Sequence, residues 1–286
     1  MPFLEAADGT ALFTTDSGVG RPVVFVHGWP LSSAMWEYQI PMIAAQGYRC
    51  IAYDRRGFGR SDQPWTGYDY DTLADDLATV INAHDLHDVT LVGFSMGGGE
   101  VARYLTRHGA GRIARAVLIS SVTPMLVRTP DHPDGVDPEV FDTMLDGISR
   151  DRPTFMAGFA RQFYGAGMLN FTVTSDLLAW TGNLAMQGSA KATMDCVRAF
   201  GMTDFRPDMA AFTMPTLIIH GDADATVPID VSARAAAASI PGAMLLEYGG
   251  AAHGLFFTEK DRLNADLLAF LDGRVPQSPG LMPMMA

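Results

Sequence analysis

Five short runs constrain the fold of this chain more than anything else in it: residues 23–26, 49–53, 89–92, 116–119 and 216–219. Each is mostly apolar at consecutive positions, rich in β-branched or aliphatic residues, so each needs cover on both faces. That is the mark of strands in a parallel sheet with helices above and below. Between them Leu73, Ala74, Leu77, Val80 and Ile81 recur at helical spacing, with Asp71 available as a cap. A second helix is expected over 98–108 and a last one over 263–271. Alternating strands and helices predict an α/β fold with a mostly parallel central sheet.

The alternation stops after Ser120. Residues 122–212 carry no convincing strand, but helices are expected over 138–150, 153–164, 175–187 and 190–200. Their large apolar residues include Phe141, Met144, Phe155, Phe159, Phe163, Leu177, Trp180 and Met194. Most should seal this stretch against the sheet, and a few should line a cavity beneath it. The expected organisation is a core of 1–121 and 213–272, a helical cap inserted at 122–212, and a tail at 273–286. Three prolines and two glycines prevent a regular element in the tail, whose methionines have no His or Cys nearby to make a metal site.

At 286 residues the chain is long enough for two average domains, although α/β folds of this size often form one. Hydrophobic residues make up 48% and charged residues 18%, enough apolar material for a large core. Twenty basic residues against thirty-two acidic ones give a net charge of −12, which repels phosphate backbones. The nearest basic cluster, Arg55, Arg56 and Arg60, carries its own acid in Asp54. Nucleic acid is therefore not an expected partner. No apolar run reaches the roughly 18–20 residues that span a bilayer, and the first residues lack the basic start and apolar stretch of a secretion signal. Cys50 and Cys196 make no disulfide framework. These features lead us to expect a cytoplasmic protein with no membrane partner.

The sharpest chemical signal is Gly93-Phe94-Ser95-Met96-Gly97, placed directly between an expected strand and an expected helix. This is the G-x-S-x-G elbow in the context it requires. A turn tight enough to push a serine hydroxyl out at a strand end strains the backbone and brings flanking chains too close for side chains at 93 and 97. The helix that follows aims its first N–H groups where negative charge would develop. A serine nucleophile also needs a base and an acid to orient that base. His84, His87 and His108 fall at helix ends, His27 and His220 follow strands and precede Gly, and His132 lies in a loop of the insert. His253, in a flexible loop before the last helix, is the favoured base. Asp222 and Asp224 both follow the strand at 216–219; Asp222 is placed to tie down its turn, so the farther Asp224 is favoured as the acid. The oxyanion needs backbone donors. The N–H of Met96 is one, and in His27-Gly28-Trp29-Pro30 the natural second is Trp29, since Pro30 has no N–H. The Trp29 ring should then form a pocket wall.

These residues resemble a known group. The matching segments are His27-Gly28-Trp29-Pro30 with Met35-Trp36-Glu37-Tyr38-Gln39, then Tyr53-Asp54-Arg55-Arg56-Gly57-Phe58-Gly59-Arg60-Ser61. The elbow with Gly98-Gly99-Glu100-Val101-Ala102-Arg103-Tyr104 follows, and then His220-Gly221-Asp222-Ala223-Asp224 and His253-Gly254-Leu255. The chain resembles the bacterial cofactor-free (non-haem) haloperoxidases, aryl esterases and perhydrolases of the α/β-hydrolase superfamily, up to about Leu271. Its triad order, Ser95, Asp224, His253, is that of these enzymes. The resemblance implies hydrolysis of small carboxylic (aryl) esters through an acyl-serine, with hydrogen peroxide able to replace water and release a peracid that oxidises halide. It implies no cofactor and no metal. It also implies an acyl pocket lined by Trp29, Val122, Leu126, Met144, Phe159, Phe163 and Val227, with Leu126 and Met144 standing where aromatic residues are common in relatives. Pro30 after the oxyanion tryptophan is implied to favour perhydrolysis. Relatives often form homo-oligomers. Two other readings remain: an amidase or γ-lactamase on the same triad, and a ligand-binding receptor on a hydrolase scaffold.

Overall fold

The computed structural model describes residues 2–166 and 173–276. Its strands are β1 (Phe3–Glu5), β2 (Ala11–Gly18), β3 (Arg21–Val26), β4 (Tyr48–Tyr53), β5 (Val89–Phe94), β6 (Ile113–Ile119), β7 (Thr216–Gly221) and β8 (Met244–Tyr248). They form one sheet in the order β1-β2-β4-β3-β5-β6-β7-β8. The β1–β2 and β2–β4 pairs are antiparallel and every other pair is parallel. The five expected strands are the five central ones. Along each, successive side chains enter opposite layers: Val24 and Val26 pack into one apolar cluster, Val23 and Phe25 into the other. This is why those runs read as apolar throughout.

The three strands not foreseen lie at the sheet margins. β2 alternates between buried and half-buried positions over its first half and is at most partly covered on both faces from Thr15 onward. β8 is only partly covered, and its Met-Leu-Leu-Glu-Tyr reads equally well as helix.

The helices are α1 (Ile40–Ala44), α2 (Tyr70–Ala83), α3 (Met96–His108), α4 (Pro138–Phe163), α5 (Ser175–Gln187), α6 (Ala190–Met202), α7 (Ala235–Ser239), α8 (Leu255–Thr258) and α9 (Lys260–Leu271). Residues of α2 and α3 bury against one face of the sheet, and those of α1, α8 and α9 against the other. One expectation needs correcting. Asp69, not Asp71, caps α2, accepting from the Thr72 N–H at 3.0 Å. Asp71 lies inside the first turn and pairs with Arg103 and Arg107 of α3.

Between Val122 and Phe212 the described residues hold isolated bridges, Val127 with Val136 and Thr129 with His132, but no strand. The first two helices expected there run as one interrupted helix, α4. It breaks at Asp151 (φ −157°, ψ 84°), whose carboxylate accepts from the Thr154 N–H at 3.1 Å and so caps the second half. Pro153, two residues on, has no N–H to lose there. α4 packs against α5 and α6. The tail from 277 onward, with the methionines noted above, lies outside the described residues.

Candidate active site

Because β5, β6, β7 and β8 run parallel, the loops leaving their C-terminal ends all emerge along one edge of the sheet. Three of those loops carry Ser95, Asp224 and His253. Ser95 links β5 to α3 at φ 52° and ψ −120°, a conformation that non-glycine residues rarely adopt. Its neighbours explain how that geometry is enforced. A Cβ on Gly97 would lie 2.5 Å from the Val26 carbonyl oxygen, and one on Gly93 would lie 2.7 Å from the Gly97 carbonyl oxygen. The Ser95 N–H donates to Ile119 at 2.8 Å, and its carbonyl accepts from Gly98 at 3.0 Å. Both sides of the turn are therefore anchored.

His253 arrives on the loop after β8. Its Nε2 is 3.0 Å from Ser95 Oγ, and its Nδ1 is 2.6 Å from Asp224 Oδ2. Asp224, on the loop after β7, turns its other oxygen to the N–H groups of Thr226 (2.9 Å) and Val227 (2.8 Å). Burial alone would raise this carboxyl; the charge of His253, with hydrogen bonds from His220 and His253, outweighs it and holds Asp224 well below the usual carboxylate range. Asp222 instead accepts from the Gly250 N–H at 2.6 Å and ties the β7 loop to the loop that carries His253.

The structure also adds a residue the sequence reading had placed only at a strand end. His220 Nε2 lies 2.9 Å from the Val227 carbonyl and 3.1 Å from Asp224 Oδ2, so two imidazoles share one carboxylate oxygen. No local motif announces this contact. His84, His87 and His108 face Asp16, Asp85 and Asp75 instead. Burial pushes both Cys50 and Cys196 thiols up to about 12, which leaves neither as a ready nucleophile.

Two buried amides flank the serine. Among the described residues neither the Trp29 N–H nor the Met96 N–H meets an acceptor. Met96 opens α3 beside Ser95. The Trp29 loop lies against the serine as well, since a Cβ on Gly28 would sit 3.1 Å from Ser95 Cβ. A buried N–H without a partner is rare, and such donors beside a serine hydroxyl suit an incoming negative oxygen. The Trp29 indole is fixed by donating to Thr193 at 3.0 Å and by Phe159, whose ring meets it edge-on at 5.2 Å.

A pocket opens over Ser95 and His253. Trp29, Val122, Leu126, Met144, Phe159 and Val227 are among its walls. Phe163 is not. It packs edge-on against the His253 ring, centroids 5.0 Å apart, and supports the imidazole from behind. Val136, Val140, Phe141, Phe200 and Thr226 complete the lining. Val140 stands one helical turn before Met144, so the i, i+4 spacing held a clue to it. A wider outer cleft, which includes Asp137, Glu139, Phe155 and Gln162, shares Val140, Met144, Phe159 and Thr226 with the inner pocket. Among the described residues no group of three or more His, Cys, Asp or Glu is placed to hold a metal ion, and no helix is long and apolar enough to cross a membrane.

Fold and site together place this protein among the serine hydrolases. The chain belongs to the α/β-hydrolase fold family, whose sequence profile matches residues 21–260, and within it to the non-haem haloperoxidase group. It is 45% identical to the non-heme chloroperoxidase CPO-A1 of Kitasatospora aureofaciens, over 95% of this chain and 100% of that one. It is 39% identical to the bifunctional esterase/perhydrolase DCH of Acinetobacter calcoaceticus, over 95% and 99%. Among solved structures it resembles a bromoperoxidase from Bacillus anthracis at 43% identity, with a TM-score of 0.92 over 94% of this chain and 99% of that one.

Proposed function

We propose that this protein hydrolyses small carboxylic esters through an acyl-serine, and that hydrogen peroxide can replace water in the second half-reaction. Ser95 Oγ attacks the ester carbonyl carbon while its proton passes to His253 Nε2. The carbonyl oxygen becomes an oxyanion between the Trp29 and Met96 N–H groups. Collapse breaks the carbon–oxygen bond to the alcohol, which leaves with the proton from His253. Water then gives up a proton to His253, attacks the acyl carbon, and releases a carboxylic acid and free Ser95. With hydrogen peroxide as the nucleophile the same step releases a peracid, and this can oxidise halide to hypohalite in solution while returning to the acid.

The observation that carries this reading is the chain of contacts from Ser95 through His253 to Asp224, 3.0 and 2.6 Å long. In the same reading residues 122–212 act as a cap whose apolar walls receive the acyl group, over a core formed by 1–121 and 213–272. A cytoplasmic location and a homo-oligomer belong to it too, the latter tested by sedimentation of the purified protein. The decisive experiment compares wild type with Ser95→Ala in phenyl acetate hydrolysis and in peroxide-dependent bromide oxidation with acetate present. Both should fall together, by roughly 10⁶ in kcat for the ester. Bromide oxidation that survived without Ser95 would separate it from the acyl-serine and overturn the proposal. For Pro30, a perhydrolysis-to-hydrolysis ratio unchanged in Pro30→Leu would remove it from the account.

A further inference from the structure

The two oxyanion donors sit on different elements, Met96 at the start of α3 and Trp29 in the loop after β3. Their relative angle therefore needs an anchor, and the contacts of His27 supply one. The Arg55 backbone N–H donates to His27 Nε2 at 2.9 Å. A backbone N–H can only donate, so Nε2 is the unprotonated nitrogen and the ring proton of neutral His27 sits on Nδ1. Nδ1 lies 2.9 Å from the Gly28 carbonyl oxygen, which takes a second bond from the Leu31 N–H at 3.0 Å. The Gly28–Trp29 peptide is trans, so its C=O and N–H point in opposite directions. Holding the carbonyl from two donors aims the Trp29 N–H the other way, and that N–H meets no acceptor among the described residues.

The surroundings preserve this tautomer. His27 is fully buried, and burial first, the Arg55 guanidinium second, push its pKa well down. Arg55 Nη1 is 3.4 Å from Nδ1. Both nitrogens carry protons, so that contact is no hydrogen bond, and it opposes a second proton on the ring. Arg55 also links the two donors. Its Nη2 donates to the His27 carbonyl at 2.5 Å and its Nε to Glu100 at 2.5 Å, and Glu100 lies on α3 one turn beyond Met96.

We propose that His27 is a positioning residue for ester turnover: as its Nδ1–H tautomer it locks the Gly28–Trp29 peptide so that the Trp29 N–H meets the developing oxyanion. The inference rests on the reading of Ser95 as nucleophile. Asparagine at 27 can place an amide N–H near Nδ1, whereas glutamine reaches only toward Nε2. His27→Gln should therefore lower kcat for phenyl acetate by about 10²-fold while KM changes less than about threefold, and His27→Asn should stay within about tenfold of wild type. Benzeneboronic acid, which forms a tetrahedral adduct on an active serine, should bind His27→Gln more weakly in step with its lost kcat.

A merely structural histidine would give the opposite pattern, with both variants equally impaired at unequal melting temperatures, or with the loss confined to KM; either overturns the inference. A measurement on the unsubstituted enzyme covers the case in which glutamine is not accommodated. Nitrogen-15 NMR of histidine-labelled protein should show the His27 proton on Nδ1 between pH 6 and 9, and a proton on Nε2 would also overturn it. Activity surviving in Ser95→Ala would instead break the underlying reading, so the two failures are distinguishable.

Discussion

His253 Nε2 stands 3.0 Å from Ser95 Oγ, although 158 positions separate the two residues in the chain. They meet because β5 and β8 run parallel with β6 and β7 between them, so both loops leave the same edge of the sheet. Asp224 comes from β7, the strand next to β8.

The first prediction concerns the strain at Ser95. Ser95 holds φ at 52°, which costs a residue with a Cβ about 1–3 kcal/mol, and glycine recovers most of that less its greater freedom when unfolded. Ser95→Gly should resist urea unfolding by about 1 kcal/mol more than Ser95→Ala, with neither turning over ester. Equal stabilities would mean the elbow is relaxed.

Asp224→Asn should lower kcat by roughly 10⁴ with little change in unliganded geometry, by analogy with other triads. The amide oxygen can keep the Thr226 and Val227 N–H bonds, which leaves an NH₂ facing two imidazole N–H groups. His253 must then carry its proton on Nε2, where it cannot accept from Ser95. Stopped-flow acylation should show the loss in the first half-reaction.

The same carboxylate predicts a pH dependence of stability. Its folded-state pKa is depressed, so its contribution is fully present above the unfolded value of about 3.9 and is lost as pH falls through the lower folded value. The stability gap between wild type and Asp224→Asn should be constant above about pH 5 and shrink below about pH 4. Urea titrations across that range check the sign; a gap that widens on acidification contradicts it.

Gly97→Ala and Gly182→Ala should move stability in opposite directions. The new Cβ at 97 meets the backbone oxygens of Val26 and His27 at 2.5 and 2.9 Å, and these cannot rotate aside. The cost should be about 1–3 kcal/mol, with kcat reduced because the oxyanion loop is displaced. At 182, within α5, the Cβ enters open space and should add about 0.5–1 kcal/mol. Thermal unfolding reads both.

Phe159 is the largest of the four residues that border both the inner pocket and the outer cleft. Phe159→Ala should raise kcat/KM for hexanoate relative to acetate phenyl esters by about tenfold or more, because each methylene given room contributes up to about 1–3 kcal/mol. An unchanged ratio would place the acyl chain elsewhere.

Much of the site was legible because its signals are local. The elbow needs glycines within two residues of Ser95, and the loop 220–228 announces its acid by position after an apolar strand. The same local view gave the wrong cap for α2, since Asp69 and Asp71 are equally good on paper and only the chain direction at Tyr70 separates them. The family resemblance, for its part, implied Phe163 as a pocket wall. Phe159 and Phe163 share one face of α4, but the second is taken up by the His253 ring, so only the first borders the cavity. The edge strands β2 and β8 escaped because half-covered strands do not read as continuous apolar runs.

Sequence alone determined the strand and helix alternation, the strained serine turn and the residue types of the triad, because each follows from neighbours a few positions apart. Tertiary structure decided which histidines meet Asp224, which carbonyl His27 holds and which aromatic rings border the cavity. Those outcomes depend on distances between loops from different strands, set by sheet order and packing, and no pattern confined to one segment encodes them.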